Sequence, residues 1–168
     1  MRISVTILLL FISIFSFGQK LQDTLLKALK PFDVYSNENL RILAGSFMIT
    51  DGFGGYKYRL DTVGKFERVD FADIGGSYVS EKGKFRIRNN YQIELRSEKG
   101  HSTFKVFAFD NFSFLIPPAK VTAFKKHFAK AVSMFGKKPI YKIGDENYTA
   151  YFMIAHFLLH DYLVKGVD

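Results

Sequence analysis

The chain has no cysteine, no tryptophan and, beyond its first residues, no apolar run long enough to cross a bilayer. The lack of cysteine excludes disulfides, a thiolate nucleophile, thiolate metal ligation and lipid acylation on cysteine. No internal repeat, low-complexity segment or linker interrupts the sequence, so nothing marks a second domain. Acids are missing from the whole stretch between Lys120 and Lys142, the sharpest charge feature of a chain whose formal charge is +8. A basic balance favours anionic partners without naming one.

The start of the chain reads as an export signal. Arg2 supplies a charged beginning, Ile3 to Phe15 an apolar core, and Ser16 and Gly18 small residues at the positions before a cleavage site. The apolar core is shorter than the roughly 20 residues of a membrane-spanning helix. Residues 1–18 are therefore read as a signal peptide and residues 19–168 as one exported domain, with no transmembrane span once the signal is removed. Ser16-Phe17-Gly18 followed by Gln19 resembles the signal ends of proteins secreted by Gram-negative bacteria, which points to the periplasm or the cell exterior. Removing 18 residues leaves 150, enough to bury about two-thirds of the unfolded surface without a staple. Loss of Arg2 lowers the charge to +7.

Aromatic residues, 17% of the chain and all Phe or Tyr, suit sheets and apolar cavities. Gly83 to Arg96 alternates with a period of two: Phe85, Ile87, Tyr91, Ile93 and Leu95 share one face, and Lys84, Arg86, Arg88, Gln92, Glu94 and Arg96 the other. Asn89-Asn90 supplies a tight turn, so the segment is a β-hairpin. Similar short strands precede it at Ser46–Thr50, Tyr56–Leu60, Gly64–Phe71 and Gly75–Ser80, and follow it at Thr103–Phe109 and Phe112–Ile116, the last two joined by Asp110-Asn111. A slip in apolar phase between Phe66 and Val69 predicts a β-bulge that bends the sheet. The fold class is α+β and mainly β: an antiparallel meander of about eight strands forming a curved sheet or small barrel. A short N-terminal helix carries Leu21, Leu25, Leu26 and Leu29, ends at Pro31 and plugs one end of the sheet, and a further helical turn follows from Ser36. Two helices close the chain, one from Pro118 to about Phe135 with the stripe Val121, Phe124, Phe128, Val132 and Phe135, the other from about Glu146 to Lys165.

Leu43-Ala44-Gly45-Ser46-Phe47, Asp61-Thr62-Val63-Gly64-Lys65-Phe66, and Gly83-Lys84-Phe85 through Ile93-Glu94-Leu95 together resemble the strand openings of small lipocalin-like β-meander domains. The likeness spans residues 43–95. Phe stands where that pattern has Trp, and the Asp61 to Gly64 spacing is stretched. The resemblance implies binding of an apolar small molecule or an accessory role in the envelope, and it brings no catalytic residues.

Phe47, Tyr58, Leu60, Phe85, Ile87, Tyr91, Ile93, Leu95, Phe104, Val106, Phe112 and Phe114 occupy the apolar phase of their strands and are expected on one inner face. Within that set Phe47, Tyr58, Phe85, Tyr91, Phe104 and Phe114 are the candidate ligand-binding residues if curvature opens the sheet into a pocket, whereas interdigitated rings, the usual filling of a small barrel, make the same face a packed core. Lys125, Lys126 and Lys130, on the basic helix 119–135, are the alternative site, for an anionic envelope component, and export argues against nucleic acid. His156 and His160 have the i, i+4 spacing of zinc ligands, but no Glu follows His156 and no third ligand is spaced to join them, so no metal and no cofactor is assigned. Ser77 sits outside any nucleophile-elbow pattern, and Asp70 and Asp73 merely flank Phe71 and Ala72. The reading is an exported, non-catalytic binding or accessory module that takes a small apolar ligand on its inner face. A cationic surface protein is the alternative, and an enzyme of unrecognised type the second alternative. The intact mass of the exported protein should correspond to cleavage after Gly18, whereas a chain still beginning at Met1 would turn the first segment into an anchor.

Overall fold

The computed structural model describes residues 18–32, 43–89 and 91–166. The apolar core of the expected signal and the turn expected from Ser36 to Leu43, apart from Leu43 itself, lie outside the described residues. Residues 18–28 form helix α1, and Lys30–Pro31 form the short β1. A meander follows: β2 (Gly45–Thr50), β3 (Gly54–Leu60), β4 (Lys65–Ala72), β5 (Gly76–Asn89), β6 (Gln92–Ser97), β7 (Gly100–Phe109) and β8 (Phe112–Ile116). Then come α2 (Val121–Phe135), a separate hairpin of β9 (Ile140–Ile143) and β10 (Glu146–Thr149), α3 (Ala150–Leu158), and β11 (Leu163–Lys165).

The barrel is closed, antiparallel and eight-stranded. Each strand from β2 to β8 pairs with its sequence neighbour, and β11 sits between β2 and β8. Strand parity explains the insertion. Seven alternating strands leave the first and last pointing the same way, so an antiparallel seam requires an eighth strand running against both. Val164 pairs with Met48 on β2, and Leu163, Val164 and Lys165 pair with Leu115, Phe114 and Ser113 on β8. The Lys165 ammonium anchors the seam further by donating to the Ala44 carbonyl.

Turn chemistry sets the hairpins. Asp61 Oδ1 accepts from the amides of Val63 (2.9 Å) and Lys65 (2.7 Å), and Gly64 takes the positive φ of 85° that this turn needs. Asp110, at φ 53°, makes the two-residue link between Phe109 and Phe112. Gly83 answers to a close approach instead: a Cβ there would lie 2.1 Å from the Arg96 carbonyl and 2.6 Å from the Phe66 ring. The expected bulge is present between Arg68 and Val69, with Ser80 the extra residue on β5. Gly75–Ser80 is accordingly not a separate strand, since its strand residues continue through the bulge into the long β5.

Two cores lie on opposite sides of the barrel wall. Inside, Phe47, Tyr58, Leu60, Phe66, Phe85 and Phe104 pack with Leu43, Ile93, Leu95, Val106, Leu115 and Leu163. Outside, α2 and α3 lay Phe124, Phe128, Ile154 and Leu158 over Phe107, Phe109, Phe112 and Phe114. Helix α1 joins this outer layer through Leu25 rather than plugging the sheet, held close because Gly136 has no side chain to push Leu25 and Gln22 away.

Three further expectations change. Phe112 and Phe114 face the helices, not the lumen, because β8 is buried along its whole length and turns its larger rings outward, leaving Ser113 and Leu115 inside. Tyr91 is exposed: Asn89 pairs with Gln92, so Tyr91 falls in the turn with φ 67° and leaves the strand alternation. The helix expected from Glu146 to Lys165 is a strand, a helix and a strand. The Thr149 hydroxyl caps α3 by accepting from the Phe152 amide at 3.2 Å, which starts the helix at Ala150, and the chain turns after Leu159 to deliver Leu163 to the barrel.

Phe85 is 5% exposed in the inner core, so Phe85→Ala should cost about 3–5 kcal/mol of stability in a denaturant melt. A loss below about 1 kcal/mol would remove the ring from the packed lumen.

Candidate functional site

Of the six inner-face candidates, the structure brings together Phe47, Tyr58, Phe85 and Phe104 and separates Tyr91 and Phe114 from them. The four that meet are 0–6% exposed. Tyr58 stands edge-on to Phe66 (5.8 Å between centroids) and Phe104 (5.9 Å), an arrangement that fills space with rings. Toward one mouth the lumen turns polar. Arg68 stacks over Tyr56 at 4.0 Å and donates to Asp70 Oδ1 from Nε and Nη2, at 3.1 and 3.0 Å. Burial pushes the Tyr58 hydroxyl pKa up, while Arg68 beside it pulls the other way. Arg68 and Asp70 thus pair with each other beside the two tyrosines.

A concavity lies outside the barrel, between the end of α2, the β9–β10 hairpin and α3. It holds about 410 Å³ and is walled by Phe135, Ile143, Tyr148, Phe152, Met153 and Phe157, with His156 and His160 at its edge. A row of rings builds one wall: Tyr148 of β10 stacks on Phe152 at 4.9 Å, Phe152 meets His156 one turn along α3 at 5.7 Å, and His156 meets His160, just past the helix, at 6.2 Å. The hairpin also contributes Ile143, which is more than half exposed. None of the apolar wall residues was a candidate from the sequence. The available signal was Gly144-Asp145 between two short alternating runs, a two-residue hairpin link.

His156 and His160 share a helix side, but His160 Nδ1 is engaged with the Thr50 carbonyl at 3.0 Å. No group of three or more potential metal ligands converges among the described residues. His127 gathers the Tyr162 hydroxyl (3.1 Å) and Asp161 Oδ2 (3.4 Å) on the same nitrogen, Nδ1. A proton relay needs its two partners on opposite ring nitrogens, so this cluster is not arranged as one.

Cationic side chains occupy two surfaces. On α2, Lys125, Lys126 and Lys130 are exposed while Phe124, Phe128 and Val132 are buried, as the stripe predicted. On the outer face of β5 and β6, Arg86, Arg88 and Arg96 surround Glu94, whose side chain is only 3% exposed. Arg88 falls at a second register shift, between Ile87 and Asn89, and turns back onto the carboxylate. Sequence alternation put these residues on one face but not in one cluster, because cross-strand register decides which neighbours meet.

Comparison with protein-family models, with curated proteins and with solved structures returned no match to this chain.

Hydrogen bonds from Arg88, working against burial and joined by Arg86 and Arg96, hold the Glu94 carboxyl down from 4.5 to about 2. A depressed carboxylate stabilises the fold fully above its unfolded pKa, and that contribution is lost as pH falls through the folded value. Thermal melts should therefore show stability falling between pH 4.5 and about 2, with Glu94→Gln flattening that limb. An unchanged limb in the variant would detach Glu94 from acid unfolding.

Proposed function

We propose that the protein is an exported, non-catalytic binding module of the bacterial envelope that takes a small apolar ligand in the groove between α2, α3 and the β9–β10 hairpin. The observation that carries this reading is the groove itself: about 410 Å³, walled by aromatic and aliphatic side chains with two histidines at the rim. Its volume lies within the range of small-molecule sites, which are mostly apolar with a few polar groups that orient the ligand. His156 and His160 fill that orienting role for the polar end of an amphiphilic ligand. The lipocalin-like resemblance supports a binding role of the same kind, placed outside the wall instead of inside because the lumen is occupied by its own side chains.

A neutral fluorescent probe, N-phenyl-1-naphthylamine, should bind saturably. Phe152→Ala should weaken binding about fivefold or more at modest cost in stability, since Phe152 is only partly buried. Phe85→Ala should lower stability and leave probe affinity unchanged. The reverse pattern would put the ligand in the barrel and overturn the groove reading.

A further inference from the structure

The arginines around Glu94 carry more charge than that carboxylate needs. One guanidinium would neutralise it, yet three converge: Arg86 Nε at 2.7 Å, Arg88 Nε at 2.8 Å and Arg96 Nε at 3.1 Å. Arg88 adds a contact from Nη2 at 3.3 Å. Each side chain thus spends its inner nitrogen on Glu94. Both terminal nitrogens of Arg86 and of Arg96, and one of Arg88, have no protein acceptor among the described residues, and all three side chains are about half exposed. The four groups together carry two surplus positive charges.

Neighbouring strands add no acid to cancel them. Residues paired across an antiparallel ladder share a face, so Arg96 has Lys84 on one side and His101 on the other, and Glu94 faces Thr103. Glu67, on the same face of β4, is already held by Lys82 at 2.7 Å.

We propose that Arg86, Arg88 and Arg96 form a binding site for a phosphate monoester dianion, with Glu94 as the positioning residue. Guanidinium forks match pairs of phosphate oxygens, and a surplus of two charges matches a dianion. The buried carboxylate holds three long side chains with their terminal nitrogens outward, so the entropy of arranging them is spent before the ligand arrives. The lysines of α2 differ in kind: Lys125, Lys126 and Lys130 are point charges on flexible stems, and none is in an ion pair among the described residues. The phosphate can be carried on a soluble molecule or displayed on a lipid headgroup, and the chemistry of recognition is shared.

Two probes on the exported protein test the site and separate its sources. Inorganic phosphate is titrated at about pH 8, where it is a dianion, and followed by the arginine Nε–H resonances. Phosphatidylcholine vesicles with and without phosphatidic acid are assayed by co-sedimentation at low ionic strength. Saturable binding of either probe is expected, falling about tenfold in Arg86→Lys/Arg96→Lys, which keeps the charge but loses the forks. The triple change of Lys125, Lys126 and Lys130 to Ala, and Phe152→Ala in the groove, should leave it unaltered. Binding of vesicles alone assigns the phosphate to a headgroup; binding of phosphate alone assigns it to a soluble monoester. Failure of both probes, or undiminished binding by Arg86→Lys/Arg96→Lys, overturns the site. Should the double variant melt early, Arg96→Lys alone, at the longest of the three Nε contacts, gives the same comparison in a folded protein.

Discussion

Strand β8 has no wet face, and that double burial dictates how the rest of the chain is disposed. All five of its residues are buried, Leu115 against the lumen and Phe112, Phe114 and Ile116 against the helices. A strand buried on both faces must lie where a barrel wall and a covering layer meet. Once β8 is there, α2 and α3 have one place to dock, and their apolar stripes are spoken for. The opposite wall, β4 to β6, is left to water and carries the charge.

This division separates the packed interior from the surfaces left to solvent. The lumen is an aromatic core whose rings meet edge to face, and such packing resists the rearrangement that admitting a ligand would need. What remains available lies on the exterior: an apolar groove at the edge of the helical layer and an arginine cluster on the bare wall. The two surfaces differ in the chemistry they offer, one in shape and apolar area, the other in charge and hydrogen-bond geometry.

Much of the barrel was legible in the amino-acid sequence, because period-two alternation and turn residues are local signals. The shared inner face of Phe85, Ile87, Ile93 and Leu95, the bulge after Arg68, the Asp110-Asn111 link and the stripe of α2 all follow from residues near one another in the chain. Non-local facts were harder to read. The apolar phase of β8 was correct, but periodicity cannot tell which of two dry faces receives the larger rings. Tyr91 continued the alternation in sequence while a one-residue shift of the turn took it out of the strand. The last segment misled because Ala150 to Leu159 is so apolar that it masks Thr149 as a cap and Leu163-Val164-Lys165 as a strand too short to show periodicity. The groove was invisible for a related reason: its walls come from three elements, each of which looks like ordinary core when read alone.

The seam made by β11 has a kinetic meaning. Met48 and Val164 are partners across more than a hundred intervening residues, whereas each hairpin of the meander closes a loop of a few. Loop-closure entropy rises with contour length, and pairings of high sequence separation form late. The meander can assemble first as an open, curved sheet with raw edges at β2 and β8. The barrel becomes a barrel only when three residues slide between them. Until then those two edges are templates for any other strand, and the interval before closure is when the chain is most open to pairing with a second molecule.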